Sequence, residues 1–137
     1  MSDHKIVLLP GDGIGPEISE VAKELLHAVS KKHNFSILIE EHLFGGSSIA
    51  ENGLPLPIDT LKACKDSEAV LLAAIGDPKF DNHPRDLRPE SGLLNLRSSL
   101  ELFANIRPVK VIPSLIEAST LKPEIINNVD LIVVREL

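Results

Sequence analysis

Hydrophobic and polar positions along the first part of the chain change from a strand-like to a helix-like spacing. Lys5–Leu9 is a short run of β-branched and leucine residues that predicts a first strand. A glycine-rich turn follows, and apolar residues then recur every three or four positions to about Lys32, which predicts a helix with one apolar stripe. The stripe consists of Ile18, Val21, Ala22, Leu25, Leu26 and Val29.

The next segments repeat this order of strand and helix. A second strand is expected from Phe35 to near Gly45, and helices are expected over Ser47–Glu51 and Ile58–Lys65. Ala69–Ile75 is continuously apolar, which is typical of a strand buried on both faces of a parallel sheet. The order of elements predicts an α/β fold built of layers.

The second half of the chain begins with a polar segment, Gly76–Ser91, that contains three prolines and many charges. It is too long for an ordinary connection, so we interpret it as a functional loop. A helix over Gly92–Leu102 with Ser91 as its N-cap should follow, then a strand over Phe103–Ile112 that Pro108 interrupts. Leu131–Val134 has the apolar character of another buried strand, and because the sequence stops just after it, we expect the fold to be incomplete.

Composition narrows the possible functions of this 137-residue chain. The net charge of −6, without any basic run, argues against a nucleic-acid or anionic membrane partner. Cys64 is the single cysteine and fits a core position in a reducing compartment, and the apolar runs are too short to span a bilayer, so we expect a cytoplasmic location. The sequence contains no Tyr or Trp, so chemistry that needs a phenol cannot be completed within it.

The glycine-rich turn suggests a dinucleotide site at first sight. Gly11, Gly13 and Gly15 follow the first strand, and Glu40 or Glu41 occupies the place of a ribose-binding acid. The third glycine, however, comes one position too early for the Rossmann spacing, and proline follows it. We therefore favour a tight turn whose glycines let another group approach the backbone.

Three arginines at the ends of predicted elements give a stronger signal. Arg97 lies in the helix predicted over Gly92–Leu102, while Arg107 and Arg135 lie in or directly after strands expected to be buried. A guanidinium at a buried edge needs a partner, which can be Glu101 or Glu136 in an ion pair, or a bound carboxylate. Because the three come from separate segments, we favour a site for a small carboxylate ligand.

The predicted helix before Arg97 adds an apolar element to this site. Leu93 and Leu94 precede Arg97 by four and three residues and can share its helix face, as core residues or as an apolar wall for a branched carboxylate. The histidines lack metal-binding spacing, and Asp12, Asp77 and Asp81 are interpreted as turn residues.

Five ordered motifs identify a family resemblance. They are LPGDGIGPE (9–17), GDPKFD (76–81), RPESGLLNLR (88–97), LFANIRP (102–108) and VREL (134–137). Together they resemble the front part of the isocitrate/isopropylmalate dehydrogenase family of β-decarboxylating dehydrogenases, within its isopropylmalate-using members. The resemblance implies that family's layered α/β fold, which is not a Rossmann fold, with residues 1–102 in the first, cofactor-side domain and 103–137 starting the central dimerisation domain.

The resemblance also implies roles for individual residues. Arg97, Arg107 and Arg135 match the arginines that hold the substrate carboxylates, and Leu93 and Leu94 match residues that face the isopropyl group. The loop from Asp77 to Glu90, with Gly76 before it, matches the segment along the nicotinamide side of NAD. Glu90 would lie near the ribose and Ile14 near the same end of the cofactor.

The implied reaction is NAD-dependent oxidative decarboxylation of 3-isopropylmalate in leucine biosynthesis, by a homodimer that uses Mg2+ or Mn2+. The family's catalytic tyrosine and lysine and its metal-binding aspartates have no matching positions here, so we expect this chain alone to be inactive. Two alternatives stay open. One is a related enzyme for isocitrate, homoisocitrate or tartrate, and the other is a carboxylate-binding α/β module without catalysis.

Overall fold

The computed structural model describes residues 3–137, which form two compact units. The first extends to Glu101, and the second runs from Leu102 to Leu137. Assigning these units to the family's cofactor-side and central domains, 1–102 and 103–137, stays a prediction.

A parallel sheet of three strands forms the centre of the first unit. The strands are β1 (His4–Gly11), β2 (Ile37–Glu41) and β3 (Ala69–Ala74), in the order β2-β1-β3. The register pairs Val7 with both Glu40 and Val70, so β1 is the central strand.

Helix α1 (Gly15–His33) connects β1 to β2 and confirms the first predicted helix. Pro16 and Glu17 lie in its first turn. An N–H in the first turn has no partner within the helix, so proline, which lacks one, loses no hydrogen bond there, and the Glu17 carboxylate interacts favourably with the positive end of the helix dipole. Asn34, with φ of 55°, ends it in the left-handed conformation. Much of the expected apolar stripe is exposed, since Val21 and Leu25 are 64% and 63% accessible.

Three further helices complete the first unit: α2 (Gly46–Asn52), α3 (Ile58–Lys65) and α4 (Pro89–Ser99). The prediction of Ser91 as the N-cap of the last helix is wrong. The helix starts at Pro89, with Arg88 in the cap position, because proline with its fixed φ is suited to a first turn. Short 3-10 helices at Pro78–Phe80 and Arg85–Leu87 divide the loop before it.

The core of the first unit lies between the sheet and the short helices. Its fully or almost fully buried side chains are Val7, Leu9, Phe44, Ala63, Cys64 and Leu96. The expectation that β3 is buried on both faces is wrong, since five of its six residues are half-buried and Ala69 is exposed. The reason is that β3 pairs with β1 on one side only and forms an edge of this sheet.

The second unit is an antiparallel ribbon of β4 (Ala104–Lys110) and β5 (Asp130–Glu136). A 3-10 helix, Pro113–Ala118, and a short helix α5, Pro123–Ile126, connect the strands. Pro108 does not interrupt β4, because it pairs in register with Ile132. The expectation that Leu131–Val134 is buried is wrong, since every residue of β5 is exposed.

No helix within residues 3–137 combines the length and apolar character needed to cross a membrane.

The end of β1 leaves no space for a side chain. A Cβ atom built on Gly11 would lie 1.8 Å from the carbonyl oxygen of Ala74, and Gly11 has a φ of +72°. Gly53, which ends α2, has an almost identical φ of +73°, but a Cβ there would meet nothing within 4 Å. A side chain at Gly11 would therefore meet both steric overlap and backbone strain, whereas a side chain at Gly53 would meet backbone strain alone.

We predict that Gly11→Ala lowers the free energy of unfolding by about 4 kcal/mol or more, because β1 and β3 must move apart. Gly53→Ala should cost only about 1–2 kcal/mol, the strain of a left-handed alanine. Urea denaturation of both variants measures the difference. Equal losses would show that the close approach at Gly11 is easily relieved.

Cys64 provides a second test, since burial raises the pKa of its thiol and only the thiolate reacts. The folded chain should therefore react with an aromatic disulfide reagent at least about 100-fold more slowly than the chain in urea. The Cys64→Ala variant gives the background rate. A fast reaction without denaturant would contradict the buried position.

Candidate functional site

The carboxyl ends of the three parallel strands meet on one edge of the sheet in the first unit. The loop 11–15 follows β1, the turn 42–45 follows β2, and the loop beginning at Gly76 follows β3. Open α/β sheets bind ligands at this edge, so the side chains between these loops are the first candidates for a site.

Asp12, in the loop after β1, is 5% exposed and contacts the segments that follow β2 and β3. Its Oδ1 accepts a hydrogen bond from the Ser47 backbone N–H at 2.8 Å, and its Oδ2 accepts one from the Gly76 N–H at 2.9 Å. Its own backbone N–H donates to the Ala74 carbonyl at 3.0 Å. Asp12 is thus more than the turn residue that the sequence predicted, because it joins three segments distant in sequence.

Two glycines after β2 provide the space for this carboxylate. A Cβ on Gly45 would lie 2.7 Å from Asp12 Oδ2, and one on Gly46 would lie 2.7 Å from the Phe80 ring and 3.0 Å from Asp12 Oδ1. Phe80 is 9% exposed, so its ring anchors the middle of the loop against α2.

The structure brings together Gly76 and Glu90, two of the predicted cofactor residues. Gly76 has a φ of +113°, and a Cβ built on it would lie 3.4 Å from Glu90 Oε1. Asp77 beside it has a local role, since its Oδ1 accepts the Lys79 N–H at 3.0 Å and caps the 3-10 helix. Ile14, at the start of α1, is 61% exposed and free to contact a ligand.

Helix α4 carries Glu90, Leu94 and Arg97 at spacings of four and three residues, which place them along one side. Leu94 is exposed, whereas Leu93 is half-buried and packs against the core. Arg97 is half-buried and makes no ion pair with any residue in the range 3–137.

In the second unit, Arg107 and Arg135 lie on the same face of the ribbon. Asn105 on β4 pairs directly with Arg135 on β5, and Arg107 is two residues beyond Asn105 on β4. The two arginines are therefore diagonal neighbours, with Cα atoms about 7–8 Å apart. Arg107 Nε donates to Asn105 Oδ1 at 3.0 Å, which holds the guanidinium on that face.

The burial argument for Arg107 and Arg135 is wrong, because both are exposed and water can solvate them. The ion pairs with Glu101 or Glu136 that the sequence left open do not form among residues 3–137 either. The guanidinium groups are therefore available to an external anion.

The two glutamates that imitate a ribose-binding acid are already engaged. Lys5 at 2.9 Å and His42 at 3.0 Å bind Glu40, and these hydrogen bonds, chiefly that from Lys5, hold its pKa below the usual range. Lys23 binds Glu20 and Glu41, and both contacts raise the lysine pKa. Both carboxylates are thus paired within the protein, which agrees with the conclusion from the glycine spacing that this is not a Rossmann site.

A cleft also opens beside the ends of β1 and β2. A cleft of about 280 Å³ is lined by Pro10, Gly11, Pro16, Glu41, His42, Leu43 and Ser47, and contains none of the predicted site residues. Residues 3–137 contain no group of three or more His, Cys, Asp or Glu side chains that could hold a metal ion.

Sequence reasoning missed the roles of Asp12 and Asn105. The available signals were an acid between two glycines at a strand end and an amide two residues before a site arginine. The partners of Asp12 lie 35 and 64 residues away, so no local pattern predicts them, whereas Asn105 and Arg107 are two residues apart on one strand and their contact could have been anticipated from the alternation of the strand.

Comparisons with known proteins agree with this architecture. A model of the isocitrate/isopropylmalate dehydrogenase family matches residues 5–137. Over all 137 residues, the chain is 66% identical to a 3-isopropylmalate dehydrogenase of Prochlorococcus marinus and 63% identical to one of Parasynechococcus marenigrum, covering 38% of each protein. The chain thus spans about two fifths of the length of these curated relatives.

Solved structures show the same fold. A β-decarboxylating dehydrogenase of Thermococcus kodakarensis matches 98% of this chain and 34% of its own, with a TM-score of 0.70 and 28% identity. An isocitrate dehydrogenase of Methylococcus capsulatus matches 97% and 34%, with a TM-score of 0.69 and 26% identity. The α/β fold expected from the motifs is therefore confirmed, as a part of the complete family fold, and the chain belongs to the isocitrate/isopropylmalate dehydrogenase family.

Proposed function

We propose that this chain is the front part of an NAD-dependent 3-isopropylmalate dehydrogenase, which oxidises and decarboxylates 3-isopropylmalate to 2-oxoisocaproate in leucine biosynthesis. The observation that carries the proposal is the pair Arg107 and Arg135, which share one face of the ribbon without an acidic partner among residues 3–137. Their positive charges suit a dicarboxylate substrate.

The arginines would hold the two carboxylates of the substrate and keep its hydroxyl-bearing carbon in a fixed position. A guanidinium presents parallel N–H groups that match a carboxylate, and Asn105 already restrains Arg107 at 3.0 Å. Arg97 on α4 would supply a third positive charge. The same charges stabilise negative charge as it develops on the substrate oxygens during oxidation and loss of carbon dioxide.

Leu94 would contact the isopropyl group. Its side chain is 57% exposed and is aligned on α4 with Arg97, so one helix side offers an apolar surface next to a cation. Leu93 packs behind it against the core and fixes the helix surface.

Gly76, Asp77, Glu90 and Ile14 would hold the nicotinamide end of NAD, which supplies the hydride acceptor when bound. Gly76 fits this role because the missing side chain leaves its backbone accessible beside Glu90. The Glu90 carboxylate, exposed in the first turn of α4, can accept hydrogen bonds from ribose hydroxyls.

The residues described here do not fit the Mg2+ or Mn2+ that the family implies. No acidic or histidine cluster of the required size occurs in residues 3–137, so we propose that the metal ligands, with the catalytic tyrosine and lysine, belong to the remaining length of the enzyme. We propose a cytoplasmic homodimer without nucleic-acid or membrane partners for that enzyme.

Isocitrate is the second candidate substrate, because a solved isocitrate dehydrogenase shares the fold at 26% identity. The relatives named 3-isopropylmalate dehydrogenase are 58% to 66% identical, and the exposed Leu94 suits a branched hydrocarbon better than a third carboxylate. We therefore favour isopropylmalate.

The proposal predicts an active chimera in which residues 1–137 replace the matching segment of the Prochlorococcus marinus relative, which is 66% identical. NADH should form with 3-isopropylmalate, NAD and Mg2+, and 3-isopropylmalate should be preferred to isocitrate. The isolated 137-residue chain should form none. A folded but inactive chimera would count against the proposal.

In this chimera, Arg107→Gln or Arg135→Gln should lower kcat/KM for 3-isopropylmalate at least about 30-fold, equivalent to about 2 kcal/mol of lost charge pairing. Lys110→Gln is the matched control. It removes one positive charge from the same strand, three residues away and thus on the opposite face, and should leave kcat/KM within about twofold. Similar losses in all three variants would indicate a general effect of charge.

Leu94→Ser should reduce the preference for 3-isopropylmalate over malate, which lacks the isopropyl group, by about 10-fold, since one apolar contact is worth about 1–3 kcal/mol. Leu115→Ser provides a control of the same exposure, 58% against 57%. Steady-state kinetics with both substrates measure the ratio. An unchanged ratio for Leu94→Ser would place the isopropyl group elsewhere.

A further inference from the structure

Asp12 has more connections than a turn residue needs. Its carboxylate oxygens each accept one backbone amide, from Ser47 at 2.8 Å and from Gly76 at 2.9 Å. The partners are 35 and 64 residues away in sequence, and the side chain itself is almost fully buried. The carboxylate therefore connects the loop after β1 to the start of α2 and to the loop after β3.

The Gly76 amide lies near the start of the loop that leads from β3 to Glu90. Gly76 has a positive φ of 113°, and a Cβ built on it would lie 3.4 Å from Glu90 Oε1, so a movement of this residue changes the relation between the start of the loop and the start of α4. The side chain of Asp77 binds only within its own turn and cannot fix the loop to the sheet.

The middle of the loop has a separate anchor. Phe80 is buried against Gly46, where a Cβ would lie 2.7 Å from the ring, and Gly46 also adjoins Asp12 Oδ1. The loop is thus held at two points, by the carboxylate at its start and by the ring further along.

From this geometry we infer that Asp12 is a positioning residue for cofactor binding: by accepting the Gly76 amide, it sets the position of the loop from Gly76 to Glu90 without touching the cofactor. The inference rests on the proposed function for the identity of the cofactor. The hydrogen bonds that carry it are independent of that function.

Asp12→Asn is the most direct variant. It keeps the size of the side chain but replaces one acceptor oxygen by an NH2 group, which then faces a backbone N–H. In the chimera described above, the KM for NAD should rise about 10-fold, while the KM for 3-isopropylmalate stays within about twofold. Amide exchange at Gly76 should become at least about 10-fold faster, with the β1–β2 amides unchanged.

Thr60→Val is the control for destabilisation. Thr60 is 3% exposed and donates one hydrogen bond, to the Leu43 carbonyl at 3.1 Å, so its replacement also removes a buried polar contact from the first unit. It should lower the melting temperature but leave the KM for NAD and the Gly76 exchange rate unchanged. If Thr60→Val raises the KM for NAD as much as Asp12→Asn does, the inference is wrong.

Phe80→Leu keeps the test decisive if Asp12→Asn does not fold. It shortens the second anchor, so the KM for NAD should rise about three- to tenfold. An unchanged value would show that the loop position does not control NAD binding and would overturn the inference. If the unsubstituted chimera has no activity, the proposed function fails, while unaltered Gly76 exchange in Asp12→Asn would still reject the role of Asp12.

Discussion

The contact between the end of β1 and the segments beside it constrains the whole first unit. Side chains are excluded at Gly11 by the Ala74 carbonyl and at Gly15 by the Pro10 carbonyl, where added Cβ atoms would lie at 1.8 Å and 1.9 Å. The backbone therefore closes tightly enough for Asp12, between these glycines, to bond to two neighbouring loops. The direction of α1 and the start of the loop at Gly76 both depend on this closure.

Most elements could be predicted from spacing alone, and α3 begins and ends at the expected residues, Ile58 and Lys65. Local signals failed where tertiary position decides the outcome. Continuous apolarity in Ala69–Ile75 and Leu131–Val134 predicted full burial, but β3 is an edge strand that is mostly half-buried, and every residue of β5 is exposed. Apolar composition gives the preference of a segment for burial, whereas its neighbours determine how much burial occurs.

For the candidate site as well, local sequence signals predicted part of the arrangement and tertiary structure decided the rest. The sequence identified the arginines through their place in the elements, but the reasoning from burial was wrong for Arg107 and Arg135 because both are solvated. Strand register, which no local pattern specifies, places these two side chains on one face. The contribution of Asn105 follows from the same register, because it lies opposite Arg135 and binds Arg107.

The position of Pro108 makes the two edges of the ribbon unequal in their ability to pair with a further strand. Proline has no N–H to donate, yet Pro108 pairs in register with Ile132 and the ladder from Ala104 to Lys110 is continuous. Its ring nitrogen must therefore face away from β5, and a strand approaching β4 from the far side would meet a missing donor at the centre. The outer edge of β5 carries no proline and presents a full set of donors, so the sheet can be extended regularly through β5 alone.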